Sequence, residues 1–330
     1  MRSTQYAAGL VVATLLLTGC ASIPQPRTDA EADWKPIPSE QELAATNERF
    51  DTVAVRALTD LETKPLATVF DGPLLRTNRT AVELARKSDS HTIEPTSHRD
   101  PVFHRPTFDD YPIWYLTEST TASEASEADD AAAATTSLTV VQSTGADQQW
   151  RRVLDTDLPT DTLPKLEPTA IPNDEEQRLG RTPTSIVRSF TDLLLSSKRD
   201  RRTDLFSDHE VVSNLHSKMD TAREHDGEDF NYDLSAEPTL VRTIGTADGG
   251  ALMLFTVRVR EDVAMLGGAL FRFPEKDSPI RIQLGQETFR TYFSRTEEWT
   301  VAAEVPARDA KDQRIELLSV RADFVRAEGR

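Results

Sequence analysis

The sequence predicts an α+β protein of two successive domains, each a pack of helices on a curved, cone-like antiparallel sheet, placed behind a cleaved N-terminal export signal. Three observations predict it. Apolar residues recur at helical spacing early in each half of the chain. Runs of β-branched and aromatic residues separated by turn material follow in each half. Proline-containing polar stretches precede the first half and divide it from the second. The expected organisation is a signal peptide over residues 1–19, a tether over 20–38, a first domain over 39–156 with a disordered loop at 120–137, a linker over 157–180 and a second domain over 181–330.

The chain opens MRSTQYAAGLVVATLLLTGC. Arg2 precedes an apolar run from Ala7 to Leu17 that is too short to span a bilayer and has the length of a secretory hydrophobic region. Leu17-Thr18-Gly19-Cys20 then resembles the bacterial lipobox, and Cys20 is the only cysteine of the chain. That resemblance implies a diacylglyceryl thioether on Cys20, which cleavage leaves as the new N-terminus. The alternatives are an ordinary signal peptide with a chance cysteine, or an uncleaved anchor. Residues 21–38 hold Pro24, Pro26, Pro36 and Pro38 with few apolar residues, the composition of an extended spacer.

Ser39 and Glu42 form an S-x-x-E capping-box pattern. Leu43, Asn47, Phe50, Ala54, Ala57 and Leu61 follow at helical spacing, predicting a helix that ends or kinks at Lys64-Pro65. A second helix is expected over 74–86. The character then changes to strands over 102–103, 113–116, 138–141 and 150–154. Thr182 is a natural N-cap with Pro183 at the first helical position, and Ile186, Val187, Phe190 and Leu194 make one face. A shorter helix over 210–223 precedes strands at 240–244, 252–259, 289–293, 299–305 and 315–324. Trp150 and Trp299 each open a late strand in this reading, which suggests a duplicated unit.

The formal charge of −17 becomes −18 once Arg2 leaves with the signal. Such acidity excludes a nucleic-acid partner, which needs clustered cations, and disfavours adsorption to an anionic membrane. With Cys20 lipidated, no thiol remains for disulfides, thiolate catalysis or a cysteine-ligated metal.

The six histidines supply no helical ligand pair: His209 and His216 stand about 10 Å apart by helical rise. They read as solvent-facing, and no metal or cofactor is expected. No G-x-S-x-G, S-x-x-K or H-E-x-x-H pattern occurs, so no catalytic residue is named. Adjacent carboxylates such as Glu297-Glu298 point to opposite faces of a strand and form no acid–base pair. Asp200 to Asp204 reads as a self-neutralising loop. Tyr111, Trp114 and Tyr115 are the candidate ligand-binding residues, either packing beneath the first helix against Phe50 and Phe70 or lining the mouth of a cavity. The apolar segment Leu266 to Phe273 reads as a hairpin covering a sheet edge, or as a patch that docks a partner.

Gly72-Pro73-Leu74-Leu75, Tyr111-Pro112-Ile113-Trp114-Tyr115 and Trp150-Arg151-Arg152-Val153 resemble segments in a family of predicted lipoproteins of high-GC Gram-positive bacteria, of unassigned function. The resemblance implies a lipoprotein and no reaction. The order of elements is also similar to the nuclear-transport-factor-like and cystatin-like cones, folds that host enzymes and binding modules alike. The expectation is a non-enzymatic protein with a binding, scaffold or assembly role. The membrane is its partner through Cys20, it faces outward, and an envelope protein is a candidate second partner. Alternatives are a small-ligand-binding lipoprotein with a pocket inside one cone and, third, an envelope hydrolase.

Overall fold

A computed structural model describes residues 38–122, 135–196, 205–224, 226–227, 229–273 and 275–330. The expected signal, Cys20 and all but residue 38 of the tether lie outside them, as do 123–134 of the expected loop, 197–204 and His225. The fold is α+β with antiparallel sheets.

Helix α1 (Glu40–Thr59) starts at the predicted capping box: Glu42 N–H donates to Ser39 Oγ at 3.4 Å, and Ser39 N–H donates to the Glu42 carboxylate at 2.8 Å. Its buried face is Leu43, Asn47, Phe50, Ala54 and Ala57, the residues whose spacing predicts it. After the single turn α2 (Thr63–Leu66), α3 (Gly72–Lys87) begins with Pro73 in its first turn, where the missing N–H costs nothing. Strands β1 (Ser97–His104), β2 (Ile113–Ala122), β3 (Thr135–Ser143) and β4 (Arg151–Pro159) form a meander in that order.

The second half supplies β5 (Leu166–Ala170), α4 (Pro183–Leu195), α5 (Glu210–Glu224), β6 (Phe230–Thr246) and β7 (Ala251–Met265). A short hairpin of β8 (Phe271–Arg272) and β9 (Thr288–Phe289) brackets α6 (Pro279–Leu284), and β10 (Tyr292–Val305) and β11 (Glu316–Gly329) complete the chain. The large sheet runs β11-β10-β7-β6-β5. Thr182 caps α4 as predicted, accepting from Ser185 N–H at 3.1 Å.

Strand alternation sends each sheet's side chains two ways. Tyr115 and Val141 face α1–α3, while Trp114, Leu116, Leu138 and Val140 face the other sheet. There they meet Ile244, Leu252, Leu254 and Ala302. The odd residues of β7 and β10, from Phe255 and Val257 to Trp299 and Val301, pack under α4 and α5. The layers are therefore helix, sheet, sheet, helix. Polar links reinforce the junction: Arg321 Nη2 lies 2.8 Å from Asp155 Oδ1, and Thr80 Oγ1 donates to Val325 O at 2.8 Å.

Several expected boundaries shift. The interval 157–180 is not bare connector: it ends β4, contains edge strand β5, and buries Leu158, Ile171 and Leu179. Pro168 is tolerated because an edge strand leaves some N–H groups unpaired. The 120–137 loop is strand at both ends, since Ser119 and Thr120 pair with Ser137 and Thr136. Trp299 lies within β10 and not at its start, because β10 and β7 pair continuously from Tyr292–Ala264 to Val305–Ala251. The histidines do not all face solvent: His216 is buried with Nε2 2.7 Å from Leu193 O, and His98 packs against Asp51.

Candidate functional site

Along the helix-facing side of the large sheet, two strands interrupt an apolar pattern with charge. On β7 the sequence of that face is Val257, Val259, Glu261, Val263; on β10 it is Phe293, Arg295, Glu297, Trp299. Register sets Glu261 directly opposite Arg295. The Arg295 guanidinium pairs through Nε with Glu261, and its Nη1 lies 3.5 Å from Glu297 Oε1. Trp299 Nε1 donates to the other Glu297 oxygen at 3.1 Å. Burial alone pulls the Arg295 proton affinity down, but Glu261 and Glu297 outweigh it and hold the guanidinium above its usual range.

Beyond this charged layer the face becomes aromatic. Phe271 stacks on Phe293 with centroids 5.4 Å apart and planes 6° apart, Phe273 meets Phe293 at 4.9 Å, and Phe230 meets Phe271 at 6.4 Å. The segment 266–273 reaches this position because Gly267 and Gly268 take positive φ, 57° and 88°, and turn the chain back over the sheet end. The segment does not cover a sheet edge, as one sequence reading expects: it pairs with β9, and its aromatic rings lie over the face of the interior strands β6 and β10, with Leu270 left 54% exposed.

Between α5, α6, this hairpin and the charged layer lies a cavity of about 590 Å3. Phe230, Tyr232, Phe271, Phe273 and Phe324 wall it, Glu261, Arg295 and Glu297 line it on the sheet side, and the exposed Lys218 and Glu275 stand at its rim. Its size falls within the roughly 300–1,000 Å3 of small-molecule sites. Both floor carboxylates are engaged by one guanidinium, and Glu297 also by an indole. The floor therefore offers a ligand hydrogen-bonding positions beside apolar rings, rather than a free acid or base.

The residues singled out from sequence lie elsewhere. Tyr115 is fully buried under α1 in the cluster containing Phe50 and Phe70, its ring 5.2 Å from that of Trp150. Trp114 points the opposite way into the junction between sheets, 5.6 Å from Phe108. Tyr111 and Trp114 share a separate cleft of about 430 Å3, but Tyr115 does not join them. Cys20 lies outside the described residues. Glu297 and Glu298 divide between the two faces of β10, as alternation requires. Among the described residues no group of three histidine, cysteine or acidic side chains is placed to hold a metal ion, and no helix is long and apolar enough to cross a membrane.

Sequence reasoning missed Glu261 and Arg295. The available signal was charge interrupting an apolar strand face on two strands, Glu261 on one and Arg295 with Glu297 on the other. Reading it requires knowing that β7 and β10 are neighbours.

A family model described as a domain of unknown function (DUF8094) matches residues 34–329. No curated protein and no solved structure matches the chain.

Proposed function

The chain belongs to this family of unknown function, and we propose that it is an exported, lipid-anchored binding protein whose second half acts as a cone-like cup for a small amphipathic ligand. The observation that carries the proposal is the half-open, aromatic-walled cavity over a charge-paired floor, bounded by one sheet and the helices and hairpin packed on it. Aromatic rings that line a cavity remain available to a ligand's apolar body. The Glu261–Arg295–Glu297 layer orients its polar end by hydrogen bonds. A filled half would have favoured a pure scaffold.

The anchor reading rests on Leu17-Thr18-Gly19-Cys20 at the end of the Ala7–Leu17 run. Two acyl chains on Cys20, at about 0.8 kcal/mol per buried methylene, give stable membrane residence where one chain is marginal. The proline-rich residues after it then act as a spacer between bilayer and body, on the extracytoplasmic side.

The pocket is tested with N-phenyl-1-naphthylamine, an uncharged fluorescent arene, titrated into the purified chain. Saturable one-to-one binding is expected, with loss of binding in Ala222→Trp, which fills the cavity from α5 without removing a buried contact. Equal binding by that variant would overturn the pocket. The anchor is tested separately by fatty-acid labelling, expected to vanish in Cys20→Ser. Unchanged labelling would overturn it.

A further inference from the structure

The cleft that holds Tyr111 and Trp114 carries a second site, independent of the α5–α6 cavity. Arg242 projects from β6 into the junction between sheets, on the same face as Leu240 and Ile244, which pack in the apolar layer there. One amino group donates to its own neighbour's carbonyl, Val241 O, at 2.6 Å, and the other donates to the Gln142 side chain on β3. Its Nε is buried without an acceptor, and among the described residues its partners are that carbonyl and that amide, with no carboxylate paired to it. The guanidinium is therefore half-buried, with its Nε wholly so, and has no carboxylate partner; burial pulls it down to about 10. The buried guanidiniums of Arg152 and Arg295 each face a carboxylate, Asp51 and Glu261.

A half-buried cation without a paired carboxylate is costly in a fold, and an anion seated beside it offsets that cost. The cleft around it is about 430 Å3, with the Phe108 and Trp114 rings in its wall and Asp109 and Asp110 exposed along its lining. The two aspartates oppose a ligand of high negative charge, whereas one charge can be matched by the one guanidinium. The overall acidity of the chain does not decide the matter, because charges beyond about 10 Å are screened at ordinary ionic strength. We propose that this cleft binds a monoanion carried on a flat apolar group, with Arg242 as its counter-charge and the Phe108–Trp114 wall against its ring.

The test compares benzoate with benzamide, its neutral counterpart of the same shape, by calorimetric titration of the purified full chain. Benzoate is expected to bind at least about tenfold more tightly. The difference should vanish in Arg242→Gln. That variant should melt no lower than the wild type, since it removes an uncompensated charge; a purely structural arginine would lower the melting temperature. If Arg242→Gln fails to fold, Phe108→Ala replaces it and should weaken both ligands, and no change there overturns the proposal. Equal affinity for benzoate and benzamide, or no saturable benzoate binding in the millimolar range, also overturns it. So does displacement of N-phenyl-1-naphthylamine by benzoate, which would place benzoate in the other cavity.

Discussion

The Glu298 carboxylate, fully buried on β10, is held by Arg76 Nη2 of α3 at 2.7 Å across 222 residues of sequence. Arg258 Nη2 of β7 reaches the same oxygen at 3.0 Å, and the Thr239 hydroxyl donates to the other at 3.3 Å. A helix of the first half thus neutralises a carboxylate buried in the sheet of the second.

Removing one of the two cations should be tolerable and removing both should not. Arg76→Met is expected to cost about 1–2 kcal/mol, since Arg258 remains and a hydrogen bond to a charged group contributes about that much. The double variant with Arg258→Met should cost about 3–5 kcal/mol, because it leaves an uncompensated buried charge. Urea unfolding of the two single variants and the double variant reads the excess over additivity. The apolar layer shared by the two sheets also predicts one cooperative transition; two resolved transitions would show that the halves unfold independently.

Acid should weaken the first half through Asp51. Burial pushes this carboxyl up, but the His98 ring nitrogen at 2.8 Å and Arg152 Nη1 at 2.7 Å more than offset it, so its pKa lies below the ordinary 3.8. A depressed folded-state value contributes stability that is fully present above 3.8 and is lost as pH falls through the folded value. Asp51→Asn is therefore expected to cost about 1–3 kcal/mol at neutral pH. The gap between variant and wild type should close in acid, which urea midpoints along a pH series would follow.

At the cavity floor, Arg295→Met leaves Glu261 and Glu297 without their shared cation, at a cost of about 3 kcal/mol. Thermal melts of the variant beside the wild type check the loss, and an unchanged melting temperature would show that the ion-paired floor adds nothing to the fold.

Backbone packing makes Gly250 a stricter position than Gly267. A Cβ at Gly250 would sit 2.5 Å from Val305 O and 3.3 Å from Ala307 N, both backbone atoms that cannot swing aside. Gly250→Ala should cost about 1–3 kcal/mol, the usual range for overpacking. Gly267 has φ of 57° and nothing within 4 Å, so Gly267→Ala should cost only the left-handed penalty of about 1 kcal/mol. Chemical denaturation of the two variants side by side checks the order.

Much of the local structure was legible in the sequence because its causes are local. The Ser39–Glu42 box, the Thr182-Pro183 start and the apolar faces of α1 and α4 involve residues within a few positions of one another. Strand extents were less legible. The start of β6, from Phe230 to Glu237, does carry the period-2 signal, with Phe230, Tyr232, Leu234 and Ala236 alternating with polar residues, yet it is not among the strands expected above; β7 pairs with it residue by residue. Edge strand β5, with Pro168 at its centre, has no such local signature.

The α+β order, the helix starts and the opposite facing of Trp114 and Tyr115 were determined by the sequence itself, through propensity, capping and alternation, which act over a few residues. Only the tertiary structure decided which strands are neighbours, and with that where charge meets charge. Glu261 and Arg295 are 34 positions apart, and Arg76 and Glu298 are 222 apart. Arg242 differs from them only in having no carboxylate across from it. A charge on a strand face reads the same in sequence whether it will be paired, solvated or left for a ligand, because its energy depends on what the fold sets opposite it.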